Sequence, residues 1–100
     1  MDIRVLIKRD GDWWVVRGLD KDIAAQAHAI GDAIYEFERI LMTHVHLDIE
    51  QGREPLADIP AAPPEYVEMW QRGLTATHQP QAFTTDNAVL PSVNFEMRVA

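Results

Sequence analysis

No cysteine occurs among the 100 residues. That absence removes disulfides, thiolate nucleophiles and sulfur-rich zinc sites together, so stability has to come from packing, helped by oligomerisation. Long apolar runs are missing too: the run from Trp13 to Val16 is among the longest, far short of the roughly 20 residues that span a bilayer as a helix. From Met1 to Arg9 apolar and charged residues alternate, with no apolar core followed by a small-residue cleavage site. A secretion signal is therefore not expected, and the expected compartment is the cytoplasm. Ser92 is the only serine, and no Gly-x-Ser-x-Gly surrounds it, so a serine-hydrolase elbow is excluded. A glycine-rich phosphate loop is likewise missing. With five Gly, six Pro, 47% hydrophobic and 25% charged residues, the composition is ordinary globular, and the length suits one core and one domain spanning 1–100.

The net charge of −7 is unevenly placed. Residues 1–22 hold five basic and five acidic side chains, whereas residues 23–74 hold nine acidic against three basic, a net of −6. An acidic middle disfavours DNA and RNA, whose affinity comes from neutralising phosphates with Lys and Arg, and favours a basic partner.

Ile3, Val5 and Ile7 share one face of an extended segment with Asp2, Arg4 and Lys8 on the other, which predicts a strand over Asp2 to Lys8. Asp10-Gly11-Asp12 is turn chemistry, and Trp13 to Arg17 follows with aromatic and β-branched residues, completing a hairpin. Asp22 to Ala27 predicts a third, small-residue strand closely covered by a helix. From Ile30 the period changes: Ile30, Ala33, Ile34, Phe37, Leu41 and Val45 predict an amphipathic helix from about 29 to 51, ended by Gly52. Tyr35, Ile40, Met42, Leu47 and Ile49 fall outside that stripe, so further cover is expected on this helix. Pro64 opens a short helix through Arg72. Its edge of Tyr66, Val67, Trp70 and Leu74 is expected to supply part of that cover. Thr75 to Pro91 reads as a long loop, and the alternation of Val93, Phe95, Met97 and Val99 predicts a closing strand.

From Arg17-Gly18-Leu19-Asp20-Lys21-Asp22 through Ala27-His28-Ala29-Ile30-Gly31-Asp32-Ala33-Ile34, the chain resembles the HicB-like antitoxin domain. The shared features are a charged alternating first strand, an acidic Gly-containing turn, an aromatic second strand, a small-residue third strand and an amphipathic helix. Leu19 stands where the family has a Leu, and Ala33-Ile34 where it has an Ala-apolar pair. The chain departs at Arg17 and Lys21, where proline and glycine are common, at Ala29, where a capping Thr is expected, and at Gly31. The resemblance covers about residues 2 to 50 and, more loosely, the closing strand. It implies an α+β fold with a β-β-β-α-β core like a shortened ribonuclease H fold: an antiparallel three-stranded meander plus a C-terminal strand, a long helix on one face and a short extra helix. It further implies dimerisation and binding over a small basic mRNA-cleaving toxin. No separate DNA-binding domain is expected after the closing strand, nor binding to duplex DNA.

His44-Val45-His46-Leu47-Asp48 is the one stretch resembling a metal site. Residues two apart on a helix point about 200° apart, so His44 and His46 cannot share an ion, and His44 with Asp48 makes only two ligands. The middle of the first strand has no carboxylate for ribonuclease H-type chemistry, and Asp10, Asp12 and Glu36 read as solvated acids. Neither a metal, a cofactor nor catalysis is expected. Trp13 and Trp14 face opposite ways on their strand. The expected partner contacts are Trp14, Asp32, Glu36 and Glu38, and the expected oligomer interface includes Ile40, Met42, Phe95 and Met97, through the long helix or through a closing strand exchanged between subunits. A self-associating structural module without a toxin partner is the alternative expectation.

Overall fold

The structure, a computed structural model, describes residues 1–76 and 93–100. Its elements are β1 (Asp2–Asp10), β2 (Trp13–Gly18), β3 (Ala24–Ala27), α1 (Ile30–Glu50), α2 (Pro64–Arg72), β4 (Leu74–Ala76) and β5 (Asn94–Val99). Thr75 and Ala76, expected to begin a long loop, instead pair in β4 with Arg98 and Met97 of β5; the rest of that loop, beyond Ala76, lies outside the described residues. The five strands form one mixed sheet in the order β3-β2-β1-β5-β4. Strands β1, β2 and β3 are the expected antiparallel meander. The closing strand β5 lies parallel to β1 of its own chain, with Ile3 opposite Phe95 and Val5 opposite Met97.

Alternation along β1 sorts the sheet into two faces. Ile3, Val5 and Ile7 join Val16, Phe37, Leu41, Met42, Val45 and Met97 in a buried core under α1, which lies over β2 and β3. The hairpin turn is tight: Asp10 pairs with Trp13, leaving Gly11 and Asp12 as its central residues, and Gly11 has φ +60°. A glycine at the first central position with positive φ is the type II′ arrangement, whose twist matches that of the strands. At the start of α1, Ala29 has extended backbone angles and supplies no side-chain cap.

The opposite face of the sheet corrects one expectation. Helix α2 does not cover α1; it lies across the sheet on β1 and β5, where Tyr66, Val67, Met69 and Trp70 pack on Leu6, Leu19 and Ala62. Leu6, between Val5 and Ile7, points away from α1 and needs cover of its own. The connection from α1 to α2 reaches that face by wrapping around the turn after β2. There Pro60 O accepts the Asp22 N–H at 2.7 Å and Leu19 O accepts the Ala62 N–H at 2.9 Å. On the way it inserts Leu56, wholly buried, into the α1 core, beside Ile59. Leu56 adopts φ +63°, an uncommon conformation for a non-glycine residue, and its N–H is held by Asp48 Oδ2 at 2.8 Å. Leu74, expected on the buried edge of α2, is instead 77% exposed in β4.

The same turn is tied to β1 by charge. Asp20 accepts the Arg4 backbone N–H at 2.8 Å and the Arg4 guanidinium at 2.7 Å. The hydrogen bond from the Arg4 side chain, aided by the charge on that guanidinium, holds the Asp20 carboxyl below its usual range against the opposing pull of desolvation. Because the folded-state pKa is depressed, this stabilisation is complete above the unfolded carboxylate value of about 3.9 and is lost as pH falls through the lower, folded value. Both side chains are over one-third exposed, so solvent screening discounts the effect. Asp20→Asn is expected to cost about 1 kcal/mol at pH 7. In urea denaturation the gap to the unsubstituted chain should narrow as pH is lowered below about 4. A gap unchanged at the lowest pH at which both chains remain folded would show that the carboxylate charge is not what ties the turn down.

Candidate protein-binding surfaces

Two of the four expected partner contacts lie at the surface. Asp32 is exposed in the first turn of α1, and Glu36 is half-buried and pairs with Arg39 at 2.9 Å. Glu38 is not available: it is 2% exposed, inside the molecule. Trp14 is half-buried against the α1 core, with the Arg9 guanidinium 5.6 Å from its ring centroid. The outward tryptophan is Trp13, which is 40% exposed and stacks on His28 at 4.0 Å between centroids. His28 Nδ1 in turn lies 3.1 Å from Asp12 O. Which tryptophan faces out follows from where α1 packs: Trp14 lies on the α1 side of β2 with Val16, opposite Ala27.

The expected oligomer interface is largely internal. Met42 and Met97 are 5% and 2% exposed, so neither is a surface residue in this fold. Ile40 and Phe95 are half-buried against the same core, Phe95 meeting Phe37 edge to face at 5.6 Å. The sheet, Leu56, Ile59 and Val93 belong to the core that covers Ile40 and Met42. Tyr35, Leu47 and Ile49 do remain 43–45% exposed on α1, but Asp32, Arg39, Thr43 and Glu50 are also exposed on that helix.

On the other face of the sheet, a recess of about 240 Å³ opens beside Tyr66, over Lys8, Val15, Arg17 and Gln26. It is smaller than the usual ligand cavity. Arg17 is already held there by Asp22, at 2.9 and 3.1 Å, and stacks under the Tyr66 ring at 4.1 Å. Those contacts join α2 to the sheet. Arg98 acts similarly, 4.0 Å from the Trp70 centroid and donating to Trp70 O and Gln71 O at the end of α2.

Among the described residues no group of three or more His, Asp or Glu side chains is placed to hold a metal ion. His44 and Asp48 do not form a pair: Asp48 instead receives Arg53 at 2.9 Å and the Leu56 N–H. His46 lies 3.3 Å from Glu50. His78 is outside the described residues. No described helix is long and apolar enough to cross a membrane. No family model, curated protein or solved structure matches the chain.

Proposed function

We propose that the chain is a protein-binding module of the HicB-like antitoxin type that occludes a small basic partner. The observation that carries this reading is the acidic surface. Of the nine carboxylates between residues 23 and 74, Glu38 alone is buried. Asp32, Glu54, Glu65 and Glu68 are exposed. A field of one sign steers an oppositely charged protein toward encounter and acts chiefly on the association rate. Asp32 and Glu36 near the start of α1 are the proposed contacts, joined by Trp13 if the interface reaches the hairpin. The meander, the long helix and the closing strand follow the β-β-β-α-β order that the resemblance implies, with α2 and β4 added before the last strand. The cellular setting of the proposal is cytoplasmic, and catalysis is no part of it.

The test is titration of the purified chain with the small basic protein encoded beside its gene. Expected is a complex whose association slows as salt is raised, with a further drop of about tenfold in association rate for the double charge reversal Asp32→Lys, Glu36→Lys. An association rate indifferent to salt and to the reversal, or no short basic reading frame beside the gene, would overturn the proposal.

A further inference from the structure

Strand β3 is an edge of the sheet, and its residues Ala24, Ala25, Gln26 and Ala27 carry neither charge nor proline. Exposed edges are ordinarily protected by such residues, by bulges or by a covering segment, because unpaired N–H and C=O groups invite another strand. The register shows which groups turn away from β2. Gly18 N–H donates to Ile23 O at 2.8 Å, and the pairing of Val16 with Ala25 continues the same antiparallel register. Gly18–Ile23, Val16–Ala25 and Trp14–Ala27 are therefore the hydrogen-bonded pairs, and Ala24 and Gln26 turn their N–H and C=O away from β2. No hydrogen bond from another described residue reaches them.

We infer that β3 pairs with β3 of a second copy of this chain, antiparallel about a two-fold axis at Ala25. That register sets Ala24 opposite the second copy's Gln26 and Gln26 opposite its Ala24, so all four outward N–H groups meet outward carbonyls. Ala25 faces its own copy in a non-hydrogen-bonded pair, where Cα atoms come within about 4.5 Å and a methyl side chain fits. Charge selects the same occupant: copies of a chain with net charge −7 repel, and β3 is a strip on which they meet without opposing like charges. Both copies of α1, each lying over its own β2 and β3, then share one face of a continuous ten-stranded sheet. This dimer route differs from a shared α1 face or an exchanged β5, and it does not depend on the basic partner.

Light scattering of the full chain at micromolar concentration is expected to give twice the chain mass. Gln26→Pro removes an outward N–H, lost twice per dimer by symmetry, and leaves the bonds between β2 and β3 in place, since proline is tolerated on edge strands. It is expected to weaken the dimer roughly a hundredfold while leaving the circular dichroism spectrum intact. Should that variant fail to fold, Ala25→Cys keeps the question open to measurement. The chain has no cysteine, so the single thiol can bond only to its counterpart in another molecule, and about 4.5 Å between Cα atoms is within disulfide range. Under mild oxidation Ala25→Cys is expected to form a covalent dimer while Ala57→Cys, on the exposed connection, stays monomeric. A monomer at all concentrations, a dimer indifferent to Gln26→Pro, or equal cross-linking of the two cysteine variants would overturn the inference.

Discussion

Gly18→Ala is expected to lower stability by about 3 kcal/mol, although it adds a single methyl group. A Cβ at this position would sit 2.4 Å from Lys21 O and 3.4 Å from the Phe37 ring. The first contact is with backbone, and that backbone cannot withdraw easily. Lys21 O accepts the Ile23 N–H at 2.8 Å, and Ile23 O accepts the Gly18 N–H at 2.8 Å. Asp22 N–H is meanwhile fastened to Pro60 O on the connection that wraps the sheet. Relief of the clash therefore opens the turn, and with it the Asp20–Arg4 and Arg17–Asp22 pairs that bind the turn to β1 and β2. For a domain of this size such a loss lowers the melting temperature by roughly 15 °C. A change within about 0.5 kcal/mol, the range of a surface substitution, would show that the turn yields at no cost.

That turn also marks where local reading of the sequence ends. The hairpin was legible because Asp10-Gly11-Asp12 sits between an alternating run and a run of aromatic and β-branched residues, and α1 because its apolar residues recur at three and four. Both signals are local. Gly18 reads from sequence only as a break between strands; that it must lack a side chain depends on Lys21 folding back against it and on Phe37 arriving from the helix. Likewise the apolar residues outside the α1 stripe call for more cover, which Ile40 and Met42 receive and Tyr35, Leu47 and Ile49 do not. Met42 finds it in the α1 core that also takes in Leu56 and Ile59, residues of an irregular segment whose sequence has no period. Helix α2, the evident candidate, is directed instead to the far face by Leu6.

The candidate contacts divide for the same reason. Exposure of Asp32 follows from its place in the first turn, where an acidic residue also favours the helix dipole. Glu38 is one position after Phe37, and a carboxylate there reads by default as solvated; its burial depends on packing beyond the helix. Alternation puts Trp13 and Trp14 on opposite faces but is silent about which face receives α1. The edge at β3 was the least legible feature, since a small-residue strand reads the same whether its outer side is paired or open.

Phe37→Ala is expected to cost about 4 kcal/mol, the largest loss among the substitutions considered. The ring is wholly buried between α1 and the sheet, and its edge-to-face contact with Phe95 adds to what burial alone supplies. Against a total stability of roughly 5–15 kcal/mol for a domain, that leaves a chain close to unfolding under mild denaturant. Urea denaturation should show the midpoint falling with an unchanged slope, because the surface exposed on unfolding is nearly the same. Combining this substitution with Gly18→Ala would leave too little stability to measure, so the link between the two sites is better probed with Phe37→Leu. If the Lys21 carbonyl rather than the ring resists the added methyl, shortening residue 37 brings little relief. The two losses should then add to within about 0.5 kcal/mol even though the residues touch. A coupling above about 1 kcal/mol, with the double variant more stable than the sum, would place the resistance at the ring and make the turn the softer side of the contact.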